Sequence, residues 1–158
     1  MNTTTICQSL AQRLLERGWL LTTAESCTGG MIAARCTDLA GSSAWFERGF
    51  VTYSNEAKAE LLGIDSQLIA QHGAVSEAVA RAMAQGAVTH SRAQVAVAVT
   101  GVAGPTGGSA DKPVGTVWLA WCIHDVVGAE KVLFTGDRAA VREATTQHAL
   151  QGLLARLV

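Results

Sequence analysis

Trp19-Leu20-Leu21-Thr22-Thr23-Ala24-Glu25-Ser26-Cys27-Thr28-Gly29-Gly30-Met31-Ile32-Ala33-Ala34 is the stretch whose reading decides the fold. Residues 19–23 read as a buried strand, Glu25 to Gly30 as a turn, and the small apolar run from Met31 as a helix ending near Thr37-Asp38. The result is a β-turn-α unit. A second glycine loop, Thr100-Gly101-Val102-Ala103-Gly104-Pro105-Thr106-Gly107-Gly108-Ser109, follows Val95-Ala96-Val97-Ala98-Val99. That run has no polar residue, the pattern of a central strand covered on both faces. Glycines let main-chain N–H groups approach a ligand without Cβ interference, and the Ser and Thr hydroxyls between them can bond or attack it. Two such loops at strand ends predict a site for a small anionic ligand, such as a nucleotide.

Working outward, Ile6, Leu10 and Leu14 at spacing four mark an amphipathic first helix that stops at Gly18. Phe46 to Tyr53 is rich in strand formers, and Asn55 to Leu62 supplies helix formers until Gly63. Ser76 caps a helix from Glu77 to about His90 whose small apolar face suits close packing on a sheet. Val114 to Ile123 and Val126 to Phe134 read as antiparallel strands joined by a His124-Asp125 turn. A last helix from Asp137 carries Leu150, Leu153, Leu154 and Leu157 on its inner stripe. The alternation predicts an α/β class, a three-layer α/β/α sandwich with a mixed, mostly parallel central sheet.

At 158 residues the chain fits one domain, 1–158, with a core large enough to need no staples. A net charge of -1, with 16% charged residues and no Lys/Arg run, argues against a nucleic-acid partner and for a small molecule. Cys7, Cys27, Cys36 and Cys122 show no C-x-x-C spacing, and Met1-Asn2-Thr3-Thr4-Thr5 lacks the pattern of a signal peptide, so free thiols in a cytoplasmic protein are expected. The longest apolar stretch, Val114 to Ile123, is broken by Gly115 and Thr116 and falls short of the ~18 residues that span a bilayer, so no membrane association is expected. With 49% apolar residues, burial of one face in a homo-oligomer is expected.

Neither glycine loop has the P-loop or dinucleotide-binding spacing. Thr28, Gly29 and Gly30 sit at a helix start, where free N–H groups favour an anion or a developing oxyanion; a plain strand–helix turn is the alternative. Arg138 and Arg142 stand four apart at the start of the last helix, a repulsive placement that also opposes the helix dipole. A bound phosphate would offset it, as would pairing with Asp137, Glu143 or another carboxylate. Lys58 is a candidate general base if burial lowers its pKa, and a solvated helix residue otherwise. Ser42 and Ser43 read either as caps for Ala44-Trp45-Phe46 or as nucleophiles. Cys27 is a rival nucleophile with no His near it in sequence, which favours a buried thiol. His72, His90, His124 and His148 occur in no metal-ligand spacing, so neither metal nor cofactor is expected.

Several blocks together carry a family resemblance: the Thr23–Gly30 turn, Phe50-Val51-Thr52-Tyr53-Ser54-Asn55-Glu56-Ala57-Lys58, His72-Gly73-Ala74-Val75-Ser76, Thr100-Gly101-Val102-Ala103-Gly104-Pro105, Lys112-Pro113-Val114-Gly115-Thr116-Val117 and Gly136-Asp137-Arg138. In that order, the chain resembles the CinA C-terminal domain family, whose stand-alone members act as nicotinamide-nucleotide amidohydrolases. The resemblance implies hydrolysis of the carboxamide of nicotinamide mononucleotide to the acid and ammonia, a step of pyridine-nucleotide salvage. It implies Ser43 as nucleophile, Lys58 as its base and Tyr53 assisting. Ser26, Thr28, Gly29, Thr100 and Gly101 would hold substrate and oxyanion, and Arg142 with Arg138 would take the phosphate. The additional N-terminal domain of many members, similar to molybdopterin-binding proteins, has no room in this chain, so its pyrophosphatase chemistry is not carried over. A non-catalytic nucleotide-binding regulatory domain is the rival class, and an amidase for another small carboxamide a third; ammonia release from the nucleotide separates them.

Overall fold

The computed structural model describes residues 1–158. The elements run α1 (Thr3–Arg17), β1 (Leu21–Glu25), α2 (Met31–Thr37), β2 (Phe46–Val51), α3 (Asn55–Leu62), α4 (Ser66–His72), α5 (Glu77–Thr89), β3 (Val95–Gly101), β4 (Thr116–Ile123), β5 (Val126–Leu133) and α6 (Arg138–Arg156). The five strands form one sheet in the order β2-β1-β3-β4-β5. β1 pairs in parallel with both β2 and β3, while β4 runs antiparallel to β3 and β5. Four strands therefore point one way and β4 alone is reversed, which is the mixed sheet the sequence predicts.

Strand alternation sorts the core into two layers. Val95, Val97 and Val99 of β3 join Leu21, Leu119 and Trp121 against α1, α2 and α6. Ala96 and Ala98 face the other way, with Ala24 and Ala120, against Val79, Ala80, Met83 and Ala87 of α5. Alanine opposite a small-residue helix face lets α5 lie close on the sheet. At Gly86 of α5 the approach leaves no room for a side chain, because a Cβ there would sit 2.3 Å from the carbonyl oxygen of Leu62 at the end of α3.

β2 ends at Val51, short of Tyr53, and β4 starts at Thr116, past Val114; β1 and α4 depart further from the sequence reading. β1 starts at Leu21 instead of Trp19 and runs through Glu25, because Gly18 in a left-handed conformation turns the chain after α1 and the Leu20 N–H donates to Oε1 of Gln94 before the ladder begins. Ser26 consequently sits directly at the strand tip. The seven-residue α4 is unpredicted; capped by Asp65 and ended by Gly73, it is too short to display a helical period.

Candidate active site

Parallel pairing of β2, β1 and β3 brings their carboxyl ends to one edge of the sheet, where ligands of open α/β sheets commonly bind. Ser26 follows β1, Thr52 and Tyr53 follow β2, and Thr100 and Gly101 end β3. The Ser26 N–H donates to the Val99 carbonyl at 3.1 Å, fixing the serine to the tip of the central strand. α3 starts at Asn55, capped by Ser54, and places Lys58 in its first turns. Side chains of a helix lean toward its N-terminus, so Lys58 reaches back over the end of β2. A cleft lined by Ser26, Cys27, Tyr53, Lys58, Thr100 and Arg138 opens at this edge.

Lys58 is only 1% exposed. Its Nζ lies 3.0 Å from Ser26 Oγ, 3.0 Å from the Thr52 carbonyl oxygen and 3.3 Å from that of Tyr53. No carboxylate pairs with it. Burial therefore lowers its pKa from the ordinary lysine value, outweighing the opposing effect of Cys27. Nζ donates to all three oxygens; once it gives up a proton, two hydrogens still serve the two carbonyls and the lone pair faces the Ser26 hydroxyl.

The turn beyond Ser26 is held from behind. Gly29 and Gly30 adopt φ of 58° and 109°, conformations open to glycine, and α2 begins directly after them. Arg142 donates from Nε to the Cys27 carbonyl at 3.0 Å and from Nη2 to the Thr28 carbonyl at 3.2 Å. In a trans peptide the N–H points opposite to the C=O. Gripping the Cys27 oxygen therefore aims the Thr28 N–H away from Arg142, and neither the Cys27 nor the Thr28 N–H is taken up by another main-chain group. Burial pushes the Cys27 thiol up to about 11, so it is protonated at neutral pH.

Ser43 is placed elsewhere, contrary to expectation. It is exposed, in a single 3-10 turn (Ser42–Ala44) ahead of β2, whereas Lys58 follows β2. The six residues of β2 separate them, roughly 20 Å at about 3.3 Å per residue, and the serine beside Lys58 is Ser26. Tyr53 is 61% exposed at the rim, its hydroxyl accepting from Arg138 Nη2 at 3.1 Å. Arg138 also donates to the Gly104 carbonyl. Main-chain carbonyls, not an acidic side chain, thus receive both arginines; Glu143 pairs with Arg35 and Asp137 caps Ala140. Thr100 donates to the Ala74 carbonyl and braces the far wall beside Gly101. The Thr28 side chain turns inward to Glu25. Glu25 and the Thr52 carbonyl escaped the sequence reading, since a backbone acceptor has no sequence signal and a lone glutamate before a turn resembles any other.

Fold and site together define an α/β protein with a buried serine–lysine pair at the carboxyl ends of parallel strands. The family model of the CinA C-terminal domain matches residues 3–157, and the chain belongs to that family. It is 55% identical over 149 residues to the nicotinamide-nucleotide amidohydrolase PncC of Escherichia coli (strain K12), covering 94% of this chain and 90% of that protein. It is 54% identical over 151 residues to the protein of the same name from Pseudomonas putida, covering 96% and 94%. The crystal structure of the competence damage-inducible protein A from Klebsiella pneumoniae superposes with a TM-score of 0.96 at 40% identity, covering 99% of this chain and 98% of that one.

Proposed function

We propose that this chain, as one amidohydrolase domain, hydrolyses the carboxamide of nicotinamide mononucleotide to nicotinate mononucleotide and ammonia, in pyridine-nucleotide salvage. The names of its relatives indicate the substrate. The observation that carries the chemistry is the 3.0 Å contact between Ser26 Oγ and a buried Lys58 amine without an acidic partner. Lys58 takes the Ser26 proton as Oγ attacks the carboxamide carbon. The Cys27 and Thr28 N–H groups receive the tetrahedral oxyanion, a stabilisation worth about 3 kcal/mol per donor. The Lys58 ammonium then protonates the departing nitrogen, ammonia leaves, and a water activated by the same amine cleaves the acyl-serine. Metal is not required for this sequence of proton transfers.

Arg138, exposed at the cleft mouth beside Tyr53, is the cation for the substrate phosphate. Arg142 is committed to loop carbonyls and serves that loop instead. Free cysteines fit a cytoplasmic setting, and exposed Val51 at the end of edge strand β2 and exposed Leu61 of α3 support self-association, which sedimentation velocity tests. Ammonia measured on mixing the protein with nicotinamide mononucleotide tests the activity. Tight nucleotide binding without ammonia would instead identify a regulatory domain, and release from nicotinamide or its riboside alone another amidase.

A further inference from the structure

Glu25 is a fully buried carboxylate, 0% exposed, with no lysine or arginine paired to it. Three donors converge on it instead. The Thr28 hydroxyl donates to Oε1 at 2.6 Å, the Ile32 N–H to Oε1 at 2.9 Å and the Ala33 N–H to Oε2 at 3.0 Å. The last two belong to the first turn of α2, whose dipole further stabilises a negative charge. The protein's own carboxylate thus satisfies the first free N–H groups of α2.

The same residue also touches both halves of the site through its main chain. It immediately precedes Ser26, and its carbonyl accepts from the Thr52 N–H at 2.8 Å. The Thr52 carbonyl in turn receives Lys58 Nζ. The Glu25 side chain fixes Thr28 and the start of α2 on the far side of the turn. The Ser26–Gly30 segment is therefore clamped at its strand end, at Thr28 and at its helix end, all through one residue that never reaches the cleft.

We infer that Glu25 is a positioning residue for the amidase reaction: its buried carboxylate, bonded to Thr28, Ile32 and Ala33, presets the turn so that the Cys27 and Thr28 N–H groups meet the oxyanion. This rests on the proposed Ser26–Lys58 chemistry. Such a role predicts damage to the transition state and not to ground-state binding, because the loop donors are drawn on most strongly when the carbonyl oxygen becomes tetrahedral.

Glu25→Gln keeps the shape but sets an amide N–H2 against main-chain donors. In the folded variant kcat for ammonia release falls by about a hundredfold while KM for the nucleotide changes less than about threefold. Affinity for 3-pyridylboronic acid, which forms a tetrahedral adduct on serine, falls with kcat, while affinity for nicotinate mononucleotide holds. The pH midpoint of kcat/KM, set at Lys58, stays in place. Circular dichroism and the unfolding midpoint establish folding. Should Glu25→Gln not fold, Thr28→Val, which removes the hydroxyl arm alone, must show the same split between boronate and product. Unchanged kcat, or equal weakening of boronate and product, in whichever variant folds overturns the inference while leaving the dyad intact. A wild type that releases no ammonia overturns the functional reading and this inference with it.

Discussion

Lys58 needs burial to be a base and polar partners to tolerate burial. Its Nζ faces two carbonyls and a hydroxyl, so the uncharged amine loses little on leaving water. The rate should follow its titration: kcat/KM for ammonia release rises with pH and levels off below the pH at which an ordinary lysine titrates, and a flat profile through that range would contradict the assignment. Stability carries the same sign. With the folded-state pKa below the unfolded one, the unfolded chain binds the extra proton between the two values, and folding gains as pH rises through that window. The unfolding free energy of wild type relative to Lys58→Met therefore climbs with pH, as denaturant titrations at several pH values would record. Ser26→Ala should lower ammonia release by about a thousandfold or more, whereas Ser43→Ala, at an exposed turn, should leave it intact. The opposite result would return the nucleophile to position 43. Ser26, Ser43 and Cys27 all looked able to act in one dimension, and distance to a single amine separates them.

α3 and α5 set where that amine stands. Gly86 lies under the carbonyl of Leu62, four residues on from Lys58, and the contact is too close for any side chain. Gly86→Ala should cost about 1–3 kcal/mol by thermal or denaturant unfolding and shift α3 enough to slow turnover as well. Unchanged stability would mean that α3 can ride up without penalty. Most elements declare themselves in the sequence because their length exceeds a period of hydrophobic pattern: α1, α5 and α6 by their stripes, β3 by its unbroken apolar run, β4 and β5 by the turn between them. α4 has too few residues to repeat, and the start of β1 depends on Gln94, a distant residue that bonds Leu20. The Arg138 and Arg142 pair was legible as an electrostatic problem. Its solution by carbonyls of two loops was not, since acceptors of the main chain are the same at every position.

The whole sheet assembles the cleft from segments far apart in sequence: the ends of β1, β2 and β3 and the first turns of α3 and α6. A ligand that bridges them should hold the molecule together. At a hundred times its dissociation constant, nicotinate mononucleotide should add about 2.7 kcal/mol to the stability and raise Tm measurably, an effect Arg138→Ala should weaken at fixed concentration. No rise with excess nucleotide would remove the nucleotide from this cleft. Hydrophobic period, turn residues and charge count are local properties, and through them the sequence by itself determined the α/β class, the two glycine loops and the order of every element except α4; Lys58 stood out as a base only through the family resemblance. Which serine meets that lysine was decided only by the tertiary structure. Parallel pairing sends the turn before β2 and the turn after β1 to opposite ends of the sheet, and strand direction is a relation between segments that no single segment contains.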